Sequence, residues 1–114
     1  MTAPTIDLAI FRELQDSAGP EFVAELVDTF LEEAPLMLAE LRGAQAASNA
    51  DSFRRAAHSL KSNSQTFGAL ALGALARELE LEGLAGAQHD AAALDALDAA
   101  YAQAAAGLKA LRHG

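Results

Sequence analysis

The chain contains no cysteine, only three prolines, and aromatic residues at 5% of its length. Without cysteine, disulfide frameworks, thiolate catalysis and cysteine-based metal sites are excluded, and a reducing compartment is permitted. Long hydrophobic runs are also missing. The longest uncharged apolar stretch, Gly68 to Ala76, is far too short to span a bilayer. Met1 to Leu8 carry Asp7 and no cationic segment, so no secretory signal is visible. A soluble, cytoplasmic protein without a membrane partner is expected. Positive charge is scarce too: Lys and Arg number 8 against 16 Asp and Glu, giving a net charge of −8. That balance argues against nucleic acid as the main partner.

What is present points to helix. Alanine and leucine dominate, β-branched residues are rare outside the first third, and neither strand-like alternation nor a hairpin dipeptide occurs. The 114 residues fit a single domain, 1–114, long enough to bury a core without a disulfide or metal. A short helix is expected from Asp7 to Gln15, capped by Asp7 and stapled by Ile6 and Phe11. Asp16 to Gly19 reads as a turn, and Pro20 suits the first position of a second helix running to Ala47. Its core stripe reads Val23, Leu26, Phe30, Met37 and Leu41, with a kink at Pro35. A third helix spans Asp51 to Phe67 and stops at Gly68. A fourth covers Leu70 to Glu82, with Leu72, Leu75 and Leu79 on one face and a break at Gly83 to Gly86. A fifth starts near a cap at Asp90 and carries Leu94, Leu97, Tyr101, Ala104, Leu108 and Leu111. The fold class is all-α: an antiparallel up-down-up-down four-helix bundle with an additional short N-terminal helix.

Charge is unevenly placed. Between Asp51 and Glu78 there is no acidic residue, yet Arg54, Arg55, Lys61 and Arg77 fall there. An acidic protein with one cationic stretch has a candidate site for handling anions. At 100° per residue, Phe53, Ala56, Ala57, Leu60, Ser64 and Phe67 gather on the core side of the third helix. His58, Ser62 and Gln65 gather on the opposite side, flanked by Arg54, Arg55 and Lys61. An exposed imidazole is nucleophilic near neutral pH, since its reference pKa is about 6.5. Lys61, within one turn, is placed to neutralise a phosphoryl group on the ring, and the small Ser62 leaves room for a donor. Asn63 and Ser64 are expected to hydrogen-bond between helices. Glu32 and Glu33, His89 beside Asp90, and His113 read as solvated side chains.

Ala57-His58-Ser59-Leu60-Lys61-Ser62-Asn63-Ser64, then Gly68-Ala69, Leu72, Leu75 and Leu79-Glu80, closely resembles the signature of histidine-containing phosphotransfer (HPt) domains. Phe30-Leu31-Glu32-Glu33-Ala34-Pro35 with Leu38 resembles the helix that precedes the site in that family. Ser62 stands where the family more often has glycine. The resemblance implies a phosphorelay intermediate in two-component signalling, a carrier without its own ATP site. His58 would accept a phosphoryl group from a receiver-domain aspartate and pass it to another receiver. Lys61 would stabilise the phosphohistidine with Gln65 nearby, and Ser62, Arg54, Arg55 and Ser59 would serve docking and access. The partners would be receiver domains of response regulators or hybrid histidine kinases, met by a monomer. No cofactor is expected on this domain, the receiver supplying Mg²⁺.

Two other readings compete. In the phosphoacceptor helix pair of a histidine kinase, the histidine is typically followed by Glu or Asp and then Pro; here Ser59 follows, and no proline comes after Pro35. A plain helical interaction module would make His58 dispensable. For docking, Leu31 and Leu38 lie on one shoulder of the second helix and Phe22 and Leu36 on the other. The first helix should cover one shoulder with Ile10, Phe11 and Leu14, leaving the one beside His58 for the receiver.

Overall fold

A computed structural model describes residues 5–87 and 91–112. Among these residues five helices follow in order: α1 (Leu8–Ala18), α2 (Pro20–Ala46), α3 (Ala50–Phe67), α4 (Leu70–Ala87) and α5 (Ala91–Arg112). Helices α2 to α5 each pack on the next in the chain, and α5 closes the ring against α2. Helix α1 lies outside this four-helix bundle, against α2 and α3.

Local chemistry sets the boundaries. Asp7 Oδ1 accepts from the amides of Ala9 (3.0 Å) and Ile10 (3.2 Å), so the cap forms where expected. Ile6 and Phe11 are both buried, as a staple requires. The turn expected from Asp16 is instead helical through Ala18, because the break falls on Gly19, whose φ of 95° ends the helix. Pro20 then opens α2, which runs on through Pro35 to Ala46. The stripe on α2 is centred differently from the expectation. Val27 and Ala34 are fully buried with Val23, Phe30 and Leu41, while Leu26 and Met37 sit at its edge. Ala34 contributes no bulk, so a reading weighted by large side chains passes over it.

Helix α3 is capped by Asn49, whose Oδ1 accepts from Ser52 N at 3.1 Å. It ends in a Schellman motif: Gly68 is left-handed (φ 83°), Gly68 N–H donates to Gln65 O, and Ala69 N–H to Ser64 O. Its buried residues are Phe53, Ala56, Ala57, Leu60, Ser64 and Phe67, the face read from the spacing. Asp7 N–H also donates to Gly68 O at 2.8 Å, and a Cβ on Gly68 would stand 2.8 Å from Asp7 O. The end of α3 and the start of α1 therefore touch through backbone. Helix α4 departs from the expectation: it breaks at Gly83 (φ 69°, ψ −169°) but regains helical form and continues to Ala87. The expected cap Asp90 lies outside the described residues.

Phe30 ties three helices together, its ring 5.4 Å from Phe67 of α3 and 6.1 Å from Tyr101 of α5. Tyr101 Oη donates to Leu31 O at 3.4 Å, and its partial burial raises the phenol pKa. Two arginines fasten α5 to α2. Arg42 bonds Asp95 and Asp98, and Arg112 bonds Asp28 at 2.7 Å. Among the described residues no helix is long and apolar enough to cross a membrane.

Candidate functional site

The apolar face of α3 is buried along its length, which turns the other face outward and fixes it there. His58 stands on that outer face with its side chain 58% exposed. Ser59, Ser62, Gln65, Arg54 and Arg55 are exposed around it. Lys61 is different: it leans into the seam between α3 and α4 and is half-buried. The seam is narrow because Gly73 of α4 is buried against α3, where an added Cβ would stand 3.2 Å from Gln65 Cγ. Two turns further along α4 the same face presents Glu80.

Glu80 is the residue that sequence reasoning missed as part of the site. Its Oε2 lies 2.6 Å from His58 Nδ1 and its Oε1 lies 2.7 Å from Lys61 Nζ. Lys61 is thus not a free counter-charge: it shares a carboxylate with the histidine. The hydrogen bond from Lys61 is the largest influence on Glu80. Together with the bond from His58 it outweighs partial burial and holds the carboxyl below its ordinary range. An ionised carboxylate accepts hydrogen bonds and cannot donate, so His58 carries its proton on Nδ1. In the neutral ring the lone pair is then on Nε2. The pairing spans twenty-two residues and two helices, so periodicity along α3 carries no trace of it. The Leu79-Glu80 end of the signature was the available signal.

The other polar residues of α3 act within the helix. Asn63 Nδ2 donates to Ser59 O at 2.8 Å, Ser64 Oγ to Leu60 O at 2.6 Å, and Thr66 Oγ1 to Ser62 O at 3.0 Å. These bonds replace the interhelical ones expected of Asn63 and Ser64, because a short side chain reaches the carbonyl one turn back before it reaches a neighbouring helix. Arg54 and Arg55 both pair with Asp51. Arg54, Asp51 and Glu80 line a cleft of about 400 Å³ with Leu81 and Gly83. His89 and His113 lie outside the described residues. Among the described residues no group of three or more His, Asp or Glu could hold a metal ion.

The shoulders of α2 separate clearly. Leu31 and Leu38 are half-buried, whereas Phe22 is 51% and Leu36 is 68% exposed. Leu36 shares a face with Glu40 and Gly43, which line a shallow cleft with Ser52 of α3. The open shoulder is therefore the one that borders α3. Glu32 and Glu33 are exposed.

An exposed histidine whose Nδ1 is held by a carboxylate suits reversible attachment of an electrophilic group, and comparisons with known proteins give the family in which it stands. Residues 25–107 match the family model described as Hpt domain. The chain is also similar to the crystal structure of histidine-containing phosphotransfer protein B (HptB) from Pseudomonas aeruginosa PAO1. That likeness has a TM-score of 0.87 and 28% identity, covering 98% of this chain and 97% of that one. No curated protein matches the chain. With the family model spanning most of its length, this chain belongs to the Hpt domain family and has a histidine phosphotransfer role in two-component phosphorelay.

Proposed function

We propose that the phosphoryl group is carried on His58 Nε2, accepted from a receiver-domain aspartate and returned to another. In the forward step the Nε2 lone pair attacks the phosphorus of the aspartyl phosphate, the P–O bond to the carboxyl breaks, and the aspartate leaves as a carboxylate. The ring keeps its Nδ1 proton and so becomes cationic as the N–P bond forms. Glu80, 2.6 Å from that nitrogen, stabilises the developing charge. Lys61 stays beside Glu80 and turns its remaining donors toward the phosphoryl oxygens, with Gln65 one turn further along. The receiver supplies Mg²⁺ and most of the charge stabilisation in the transition state.

Ser62 provides clearance, and Ser59, Arg54, Arg55 and the Leu36 shoulder of α2 form the docking rim. The domain acts as a monomer in the cytoplasm and has no ATP site of its own. The observation that carries this reading is the exposed His58 ring with Nδ1 engaged and Nε2 left to react. Incubation with a phosphorylated cognate receiver and Mg²⁺ should give one acid-labile, alkali-stable phosphate, located on His58 by mass spectrometry. ATP and Mg²⁺ alone should give none. Phosphate found on His89 or His113, or no acid-labile phosphate with any receiver of the source organism, would overturn the proposal.

A further inference from the structure

The two arginines that precede His58 are held by one residue. Asp51, in the first turn of α3, accepts a hydrogen bond from Arg54 Nη2 through Oδ1 at 2.9 Å and forms an ion pair with Arg55 Nε through Oδ2 at 3.3 Å. The spacings of three and four residues place one carboxylate under both cations. All three side chains are more than 60% exposed, so the pairs contribute little to folding. Their effect falls on the field around the acceptor. Arg54 lies one turn before His58 on the flank toward α4, and Arg55 lies on the opposite flank. The next acidic residue along the chain after Asp51 is Glu78. Asp51 is thus the carboxylate at the N-terminal boundary of the cationic stretch carrying His58, on the same helix as the ring.

The incoming group is anionic, because a phosphoryl group near neutral pH carries about −1.5 to −2 charges. A chain of net charge −8 repels it, and local cations set how fast an encounter becomes productive. We propose that Asp51 is a specificity-determining residue: by holding Arg54 and Arg55 it lowers the positive potential at His58, selecting receivers whose docking rim is acidic enough to draw the arginines away. The inference rests on the reading of His58 as acceptor from a receiver.

The test is the second-order rate constant for transfer from a phosphorylated receiver, compared between the wild type and Asp51→Asn. At low salt the variant should be faster by about threefold, and the gain should vanish near 0.5 M salt, as for a steering effect. The gain should be larger for weakly acidic receivers than for strongly acidic ones. In an Arg54→Gln/Arg55→Gln background, Asp51→Asn should lose most of its effect. An equal gain there would show that Asp51 acts as a bare negative charge, and no gain at low salt would show that the arginines are already free to dock; either overturns the proposal. Labelling of the wild type at His58 by phosphoramidate, which needs no docking, tests the underlying reading separately.

Discussion

Among the described residues, two ionic clusters of three residues each bridge helices in this bundle, and they share a plan. In the seam between α3 and α4, Glu80 sits between His58 and Lys61; between α2 and α5, Arg42 sits between Asp95 and Asp98. Each places one charge between two partners. They differ in exposure and in what stands at the centre. Glu80 and Lys61 are 18% and 20% exposed, whereas Arg42 and Asp95 are 42% and 72% exposed. A guanidinium is cationic at every accessible pH, and Asp98 and Asp95 push its pKa higher still. The Arg42 cluster is therefore a fastener that salt weakens and ordinary pH does not. The Glu80 cluster has a titratable centre, partial shelter and a partner ring whose second nitrogen lies outside the pair. Similar contacts, in two settings, give a clamp in one place and, on the proposed function, a poised group in the other.

The sharpest way to break this contrast is His58→Gln, which should abolish receiver-dependent labelling while leaving helicity and melting nearly unchanged. Next is Ser62→Leu, on the same outer face. If clearance is its role, transfer from a receiver should fall by about a hundredfold, as for a misplacement of about an ångström. Labelling by phosphoramidate should fall far less. Lys61→Ala should slow transfer about tenfold, or ~1.4 kcal/mol, with Lys61→Glu slower again; equal rates would show that its charge is not the reason. Glu80→Gln tests the titratable centre. Because pairing lowers the Glu80 pKa, its stabilisation is complete above the unfolded value near 4.5 and is lost as pH falls through the lowered folded one. Urea unfolding as a function of pH should accordingly show a shallower acid limb in the variant. The smallest effect belongs to Arg42→Ala, which should lower the melting temperature by no more than a few degrees and leave transfer rates untouched. A transfer defect there would erase the contrast.

The same contrast marks what one chain can and cannot disclose. All six buried residues of α3 follow from spacing alone, because a surface helix must bury one face, and the exposure of His58 follows from theirs. Gly68 was legible as a stop because a left-handed residue closes the helix there. The Glu80 contact was not, since it depends on how closely α4 approaches α3, and Gly73 allows that approach without announcing a partner. Val27 and Ala34 were missed for a related reason: the centre of the α2 stripe is set by neighbouring helices rather than by the bulkiest side chains. Leu36 was one of two candidate shoulders, and the covering of the other decides between them.

The backbone tie between Asp7 and Gly68 has a kinetic consequence. Because the Asp7 amide is satisfied by a carbonyl at the end of α3, undocking the start of α1 exposes that carbonyl and loosens the Schellman turn at the same moment. The two segments should then open as one cooperative unit, and their amides should exchange with deuterium at a common opening free energy. The last turn of α3 lies within that unit, whereas the turn carrying His58 lies above it, anchored by Leu60 and Ala57 in the core.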